Sequence, residues 1–150
     1  MHYKLVSMGR EHIPAIAALE RACFSSPWSE RTLEDVLYDD SACFIVAEGE
    51  DGSLLGYAGV HVVLDEGYMD NVAVREDCRR QGVAGALVDT LVRFGQAHLA
   101  FLTLEVRISN RPALDLYMKH GFEQVGRRRG YYEKPKEDAI LMTLEFERGT

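Results

Sequence analysis

The sequence predicts a mixed α/β domain, and two patterns carry that prediction. Short runs rich in Val, Ile, Phe and Tyr alternate apolar with polar residues, which is the period of strands. Other runs place apolar residues every third or fourth position, which is the period of helices. Along the chain these runs give the order β, α, α, β, β, β, α, β, α, β, β. Consecutive strands without a helix between them exclude a regularly alternating, doubly wound sheet. A length of 150 residues suits one domain, 1–150, large enough to bury a real core.

Residues 3–8 read as a strand. In 12–24 (HIPAIAALERACF), Ile13, Ile16, Ala17, Leu19, Ala22 and Cys23 fall near the helical period. Pro27 breaks the chain, and Ser29 is a suitable N-cap for a helix over 30–38, with acids in its early turns. The turn-forming EDGS separates strands 42–47 and 54–64 into a hairpin. A strand over 68–74 leads through a glycine-bearing segment into an amphipathic helix over 84–98. Leu102, Leu104, Val106 and Ile108 alternate against Thr103, Glu105 and Arg107, marking a strand over 101–108. A helix over 110–120 stops at Gly121, a good residue to follow a helix end. Strands near 124–128 and 139–146 close the domain.

Composition narrows the function. The longest uncharged apolar run, 54–64, is far too short to span a bilayer, and MHYKLVSMGREH lacks the apolar core of a signal peptide. The expectation is a cytoplasmic protein with no membrane partner. Three cysteines without CxxC spacing, and histidines without HxxxH spacing, argue against a disulfide framework or a structural zinc; no metal is expected. A net charge of −7 argues against nonspecific binding of DNA or anionic lipid.

One stretch cuts across that charge. RRRGYYEKPKEDAILM, starting at Arg127, interleaves basic and aromatic residues as nucleic-acid-binding surfaces do. Yet Ile140, Met142, Leu144 and Phe146 alternate after it as a closing strand, which puts Tyr131 and Tyr132 at a hairpin.

The segment NVAVREDCRRQGVAGALVDTLV, starting at Asn71, is the most informative. A strand runs through a turn into a helix whose first residues are small. Helix N-termini offer unpaired N–H donors and partial positive charge, and the small Gly82, Ala84 and Gly85 let an anion approach the backbone. No GKS or GKT follows and GxGxxG is absent, so this is neither a P-loop nor a dinucleotide fingerprint. A helix start that merely packs tightly would have the same spacing.

Arg79, Gly82 and Ala84, after a strand ending in VAV, resemble the pyrophosphate motif of the GCN5-related N-acetyltransferase (GNAT) superfamily. The order of elements matches that fold along nearly the whole chain. LEVRISNRPALDLYMKHGF, SSPWSE around Trp28 and YY…EDAILM further resemble the bacterial ribosomal-protein alanine N-acetyltransferases, the RimI type. The resemblance implies a mixed, mostly antiparallel central sheet, splayed between its fourth and fifth strands and flanked by about four helices. It implies acetyl-CoA as cosubstrate, with Arg80, Gln81, Gly82, Val83, Ala84 and Gly85 at the pyrophosphate. Val72, Ala73 and Val74 would lie along the pantetheine arm, with their backbone N–H groups at the developing oxyanion. Asn110 would contact CoA as well as cap its helix.

By the same resemblance Glu105 is the base and Tyr117 the acid. Pattern alone reads Glu105 as a solvated strand residue beside Arg107, and Tyr117 as a core aromatic. The chemistry suits an α-amine acceptor: with a reference pKa of about 7.7–8.0, roughly a tenth to a fifth is neutral near pH 7, against less than about one in a thousand for lysine. Trp28, Tyr131 and Tyr132 are the candidate acceptor-binding residues, bordering a slot for a protein N-terminus, that of a ribosomal protein. Asp35, Asp65 and Glu66 could favour a basic substrate tail, or be surface charge. Arg127, Arg128 and Arg129 read first as solvated strand charges and second as CoA or ribosome contacts. Direct transfer by a monomer, with no nucleic acid required, is expected. The alternatives are an enzyme acting on a small amine, such as a polyamine or antibiotic, and a non-catalytic CoA-binding module.

Overall fold

A computed structural model describes residues 2–147, where the strand and helix periods build a seven-stranded sheet with two helices on each face. The strands are β1 (Tyr3–Ser7), β2 (Ala42–Gly49), β3 (Leu54–Val63), β4 (Glu66–Val74), β5 (Phe101–Arg107), β6 (Glu123–Tyr132) and β7 (Glu137–Glu145). The helices are α1 (Ile13–Cys23), α2 (Glu30–Leu37), α3 (Val83–His98) and α4 (Arg111–Lys119). Strand order is β1-β2-β3-β4-β5-β7-β6, antiparallel throughout except where β4 meets β5.

Alternation along the strands sorts the core into two layers. Phe44 and Val46 face α1 and α2 with Ile16, Leu33 and Tyr57, whereas Ile45 and Ala47 face α3 with Leu87, Val88 and Leu91. Capping agrees with the sequence. Ser29 Oγ accepts from Thr32 N at 3.2 Å, Asn110 Oδ1 accepts from Ala113 N at 3.3 Å, and Gly121 follows α4 at φ 97°.

β4 and β5 pair over only three residues each, Glu66 to Tyr68 against Phe101 to Thr103. Gly67 lies at this contact, where a Cβ would come within 2.7 Å of Leu99 and Leu102. Immediately beyond, β4 carries a bulge: Asp70 and Asn71 together oppose Gly59 of β3. A bulge bends its strand and strengthens its twist. β5 meanwhile stays paired with β7 along its whole length, so β5, β7 and β6 swing away together. The splay expected between the fourth and fifth strands is present, and this is its local cause.

The boundary that differs most from expectation is the end of β6. β6 continues to Tyr132 instead of ending near 128, because the β6–β7 register slips between Arg128 and Tyr132 rather than stopping. Asp138 accepts from Gly130 N at 2.7 Å inside that slip. Tyr131 and Tyr132 therefore stand at the end of a strand, just before the turn 133–136.

Candidate active site

The splay opens a cavity of about 790 Å³, bordered by the α1–α2 loop, β4, β5, α4 and the β6–β7 turn. Seven of the residues singled out in the sequence line it: Trp28, Val72, Glu105, Asn110, Tyr117, Tyr131 and Tyr132. An adjoining cavity of about 410 Å³ shares Asp70, Asn71, Glu105, Tyr131 and Tyr132. The side chains of Ala73 and Val74 are buried in opposite core layers, so only their backbone is available on the open edge of β4.

Glu105 projects from the polar face of β5, with 27% of its side chain exposed and Arg128 Nε 3.5 Å away. Arg107, its neighbour on the same face, turns elsewhere. The Tyr131 hydroxyl is hydrogen-bonded to Glu105, which raises its pKa. Burial, with the negative charge of Glu105 next, pushes Tyr132 up to about 12. Tyr117 is 7% exposed on α4, its ring edge-on to Phe122, and burial raises its phenol above the ordinary value. It keeps its proton at every physiological pH.

The phosphate-loop residues occupy the far end of β4. Gly82 adopts φ 83° with open space where a Cβ would be, and Arg80 is also left-handed at φ 62°. No side chain caps α3, so its first N–H groups face outward. Arg80, Gln81 and Gly82 are exposed, Ala84 and Gly85 half-exposed, and Val83 anchors the turn in the core. Arg79 is structural here: its Nε donates to Val74 O at 3.2 Å, folding the loop back on the strand. A helix N-terminus with bare donors and a Cβ-free approach fits a pyrophosphate.

Three features of the site were not anticipated. Arg107 fastens the roof: Nη2 donates to Glu133 O (2.9 Å) and Ser25 Oγ (3.1 Å), and Nη1 to Pro135 O (2.9 Å) and Glu137 Oε2 (3.2 Å). Its guanidinium also lies 4.4 Å from the Tyr132 ring centroid. The Lys134–Pro135 segment is thus held by its carbonyls, which sequence patterns do not reveal. Glu20, fully buried on α1, accepts from Trp28 N (2.8 Å), from the Tyr57 hydroxyl and from Asn71 Nδ2 (3.0 and 3.1 Å). It ties the Trp28 loop to the β4 bulge. Its signal was an acid in step with Ile13, Ile16 and Ala17 on the apolar face of α1. Third, the cleft acid on β4 is Asp70, whereas Asp35, Asp65 and Glu66 border neither cavity.

The basic run is largely satisfied within the chain. Arg127 Nε donates to Asp138 Oδ2 at 2.6 Å, and Arg128 serves Glu105 and the Tyr131 ring. Of the three arginines, Arg128 lines the cleft.

A seven-stranded sheet splayed beside an uncapped, glycine-led helix is the arrangement expected of an acyl-CoA-dependent acyltransferase. The model of the acetyltransferase (GNAT) family matches residues 13–122, and the chain belongs to that family. It is an acetyl-CoA-dependent N-acetyltransferase. An Escherichia coli protein named ribosomal protein bS18-alanine N-acetyltransferase is 36% identical over 141 residues, covering 92% of this chain and 94% of that one. The crystal structure of the Escherichia coli ribosomal-protein-S18-alanine N-acetyltransferase superimposes with a TM-score of 0.91 at 32% identity, covering 99% of this chain and 97% of that chain. Arabidopsis thaliana NAA60 in complex with acetyl-CoA, at 19% identity and a TM-score of 0.87 over 96% of this chain and 98% of that one, shares the fold.

Proposed function

We propose that this enzyme acetylates the α-amine of a protein N-terminus, the N-terminal alanine of a small-subunit ribosomal protein of the S18 kind. The observation that carries the reading is the meeting of Glu105, Tyr117, Trp28, Tyr131 and Tyr132 around one cavity in the splay. The Escherichia coli relative, similar over nearly the whole chain, is named for that activity.

Bound acetyl-CoA supplies a thioester carbonyl. Arg80 to Gly85 hold its pyrophosphate on backbone N–H groups, and Val72 to Val74 align its arm along the free edge of β4, with Asn110 beside it. Backbone N–H groups on that edge of β4 would stabilise the charge that develops on the carbonyl oxygen. In the ternary complex the amine nitrogen bonds to the acetyl carbon as the carbon–sulfur bond breaks. Glu105 takes the amine proton, directly or through one water, and Tyr117 returns a proton to the thiolate. Burial holds Tyr117 in its protonated form, so it enters this step with a proton to give. Trp28, Tyr131 and Tyr132 narrow the entrance to an extended chain end, with tyrosine hydroxyls available to peptide groups.

The test is CoA release with three acceptors: a free-amine alanyl peptide, its N-blocked form and a polyamine. Turnover is expected with the free peptide alone. Equal or faster turnover of the polyamine would replace this reading with the small-amine one.

A further inference from the structure

We propose that Asp70, held in place by His61, is the carboxylate that binds the positively charged α-ammonium of the incoming peptide. The inference rests on the N-terminal acetylation reading and adds a residue to its acceptor site.

Asp70 sits in the β4 bulge and lines both cavities of the cleft, across from Glu105 on β5. Its side chain is only 20% exposed. One oxygen is committed: Oδ2 lies 2.5 Å from His61 Nδ1, and a carboxylate there requires the ring to donate. His61 is itself fixed, edge-on to Phe44 with ring centroids 5.7 Å apart, and its Nε2 lies 3.5 Å from Asp39 Oδ2. The ring therefore lies between two carboxylates, with Asp70 on its cleft side. The hydrogen bond and ion pair of Asp70 both fall on Oδ2, and no buried side-chain oxygen among the described residues lacks a partner, so Oδ1 is left accessible on a residue that lines both cavities.

The pattern of ion pairs supplies the missing half. Glu105 has Arg128, Glu137 has Arg107 and Asp138 has Arg127. Among the described residues no Lys or Arg pairs with Asp70, although it is the more buried of the two carboxylates that face both cavities. A half-buried carboxylate with one free oxygen gains most from a cation that arrives with the ligand. The acceptor brings one, because most α-amines are protonated near neutral pH. Asp70 then holds the ammonium and Glu105 removes its proton. Two carboxylates on opposite walls divide recognition from chemistry.

The experiment compares wild type, Asp70→Asn and His61→Gln in the full chain. Steady-state kinetics use an alanyl peptide, and calorimetry on the CoA complex uses the same peptide with a free and with an acetylated N-terminus. Losing a charge-assisted contact is expected to raise the peptide KM of Asp70→Asn about 10- to 100-fold, leaving kcat within about threefold. KM for acetyl-CoA should stay within about twofold, and His61→Gln should show a smaller rise, about three- to fivefold, because it removes only the orientation. Affinity for the acetylated peptide, which carries no ammonium, should match wild type in both variants. A peptide KM unchanged in Asp70→Asn, or an equal loss of affinity for free and acetylated peptide, would overturn the assignment. A wild-type enzyme that neither binds nor acetylates the peptide would instead overturn the N-terminal reading and this inference with it.

Discussion

Glu105 and Tyr117 occupy one cavity but very different surroundings, and the difference sets what each can do. Glu105 is a partly exposed carboxylate that lines both cavities and, once ionised, can only accept. Tyr117 is a buried phenol that keeps its proton and lines the same cavity. Glu105→Gln is expected to lower kcat about 10²–10⁴-fold. The loss should be steepest below the α-amine pKa of about 8, where base assistance matters most. A pH–rate profile parallel to wild type would remove Glu105 from the mechanism. Tyr117→Phe should lower kcat by a similar factor of about 10²–10⁴ while acetyl-CoA binding persists, read by calorimetry. Wild-type turnover in that variant would end its role as acid. Both residues were identifiable only through motif resemblance. Their strand and helix positions read equally well as a solvated Glu and a core Tyr, because one-dimensional patterns do not show which faces meet across a splay.

At the scale of elements, the cleft depends on a roof held by one side chain. Arg107→Ala would free the carbonyls of Glu133 and Pro135, Ser25 and Glu137 at once. The expected cost is about 1–3 kcal/mol of stability, read by denaturant unfolding, with a raised peptide KM and an unchanged acetyl-CoA KM. The partner carboxylate fixes the pH range of this clamp. Hydrogen bonds from Ser109, then Arg107, hold Glu137 below its ordinary pKa. A depressed carboxylate stabilises the fold above its unfolded value, about 4.3, and that contribution disappears only as pH falls through the lower folded value. Between pH 8 and 5 the clamp should therefore stay closed. A fall in kcat/KM over that range with unchanged thermal melts would assign the loss to protonation of the amine. The hairpin also shows where sequence reading stops. The strand period located β7 through Ile140 and Met142, but the slipped β6–β7 register and the Arg107 contacts are long-range properties without a local pattern.

For the molecule as a whole, the three-residue β4–β5 junction is the organising feature. Residues on its β4 side (Val72, Asp70, Asn71) and on its β5 side (Glu105, Arg107) face one another because a bulge turns β4 aside where pairing stops. Element order, helix caps and the phosphate loop were legible in the sequence, since each depends on neighbours close in the chain. The bulge opposite Gly59, the buried Glu20 knot and the His61–Asp70 pair were not, since each joins residues of different strands or helices. Bacterial relatives similar from end to end, together with this cleft, make chain-end acetylation the central claim. It is tested most directly by incubating the enzyme and acetyl-CoA with a small-subunit ribosomal protein of the S18 kind and mapping the product by mass spectrometry. The expected result is a single acetyl group on the α-amine of the N-terminal alanine. Acetyl groups confined to lysine side chains, or none on a protein with a free N-terminus, would contradict it.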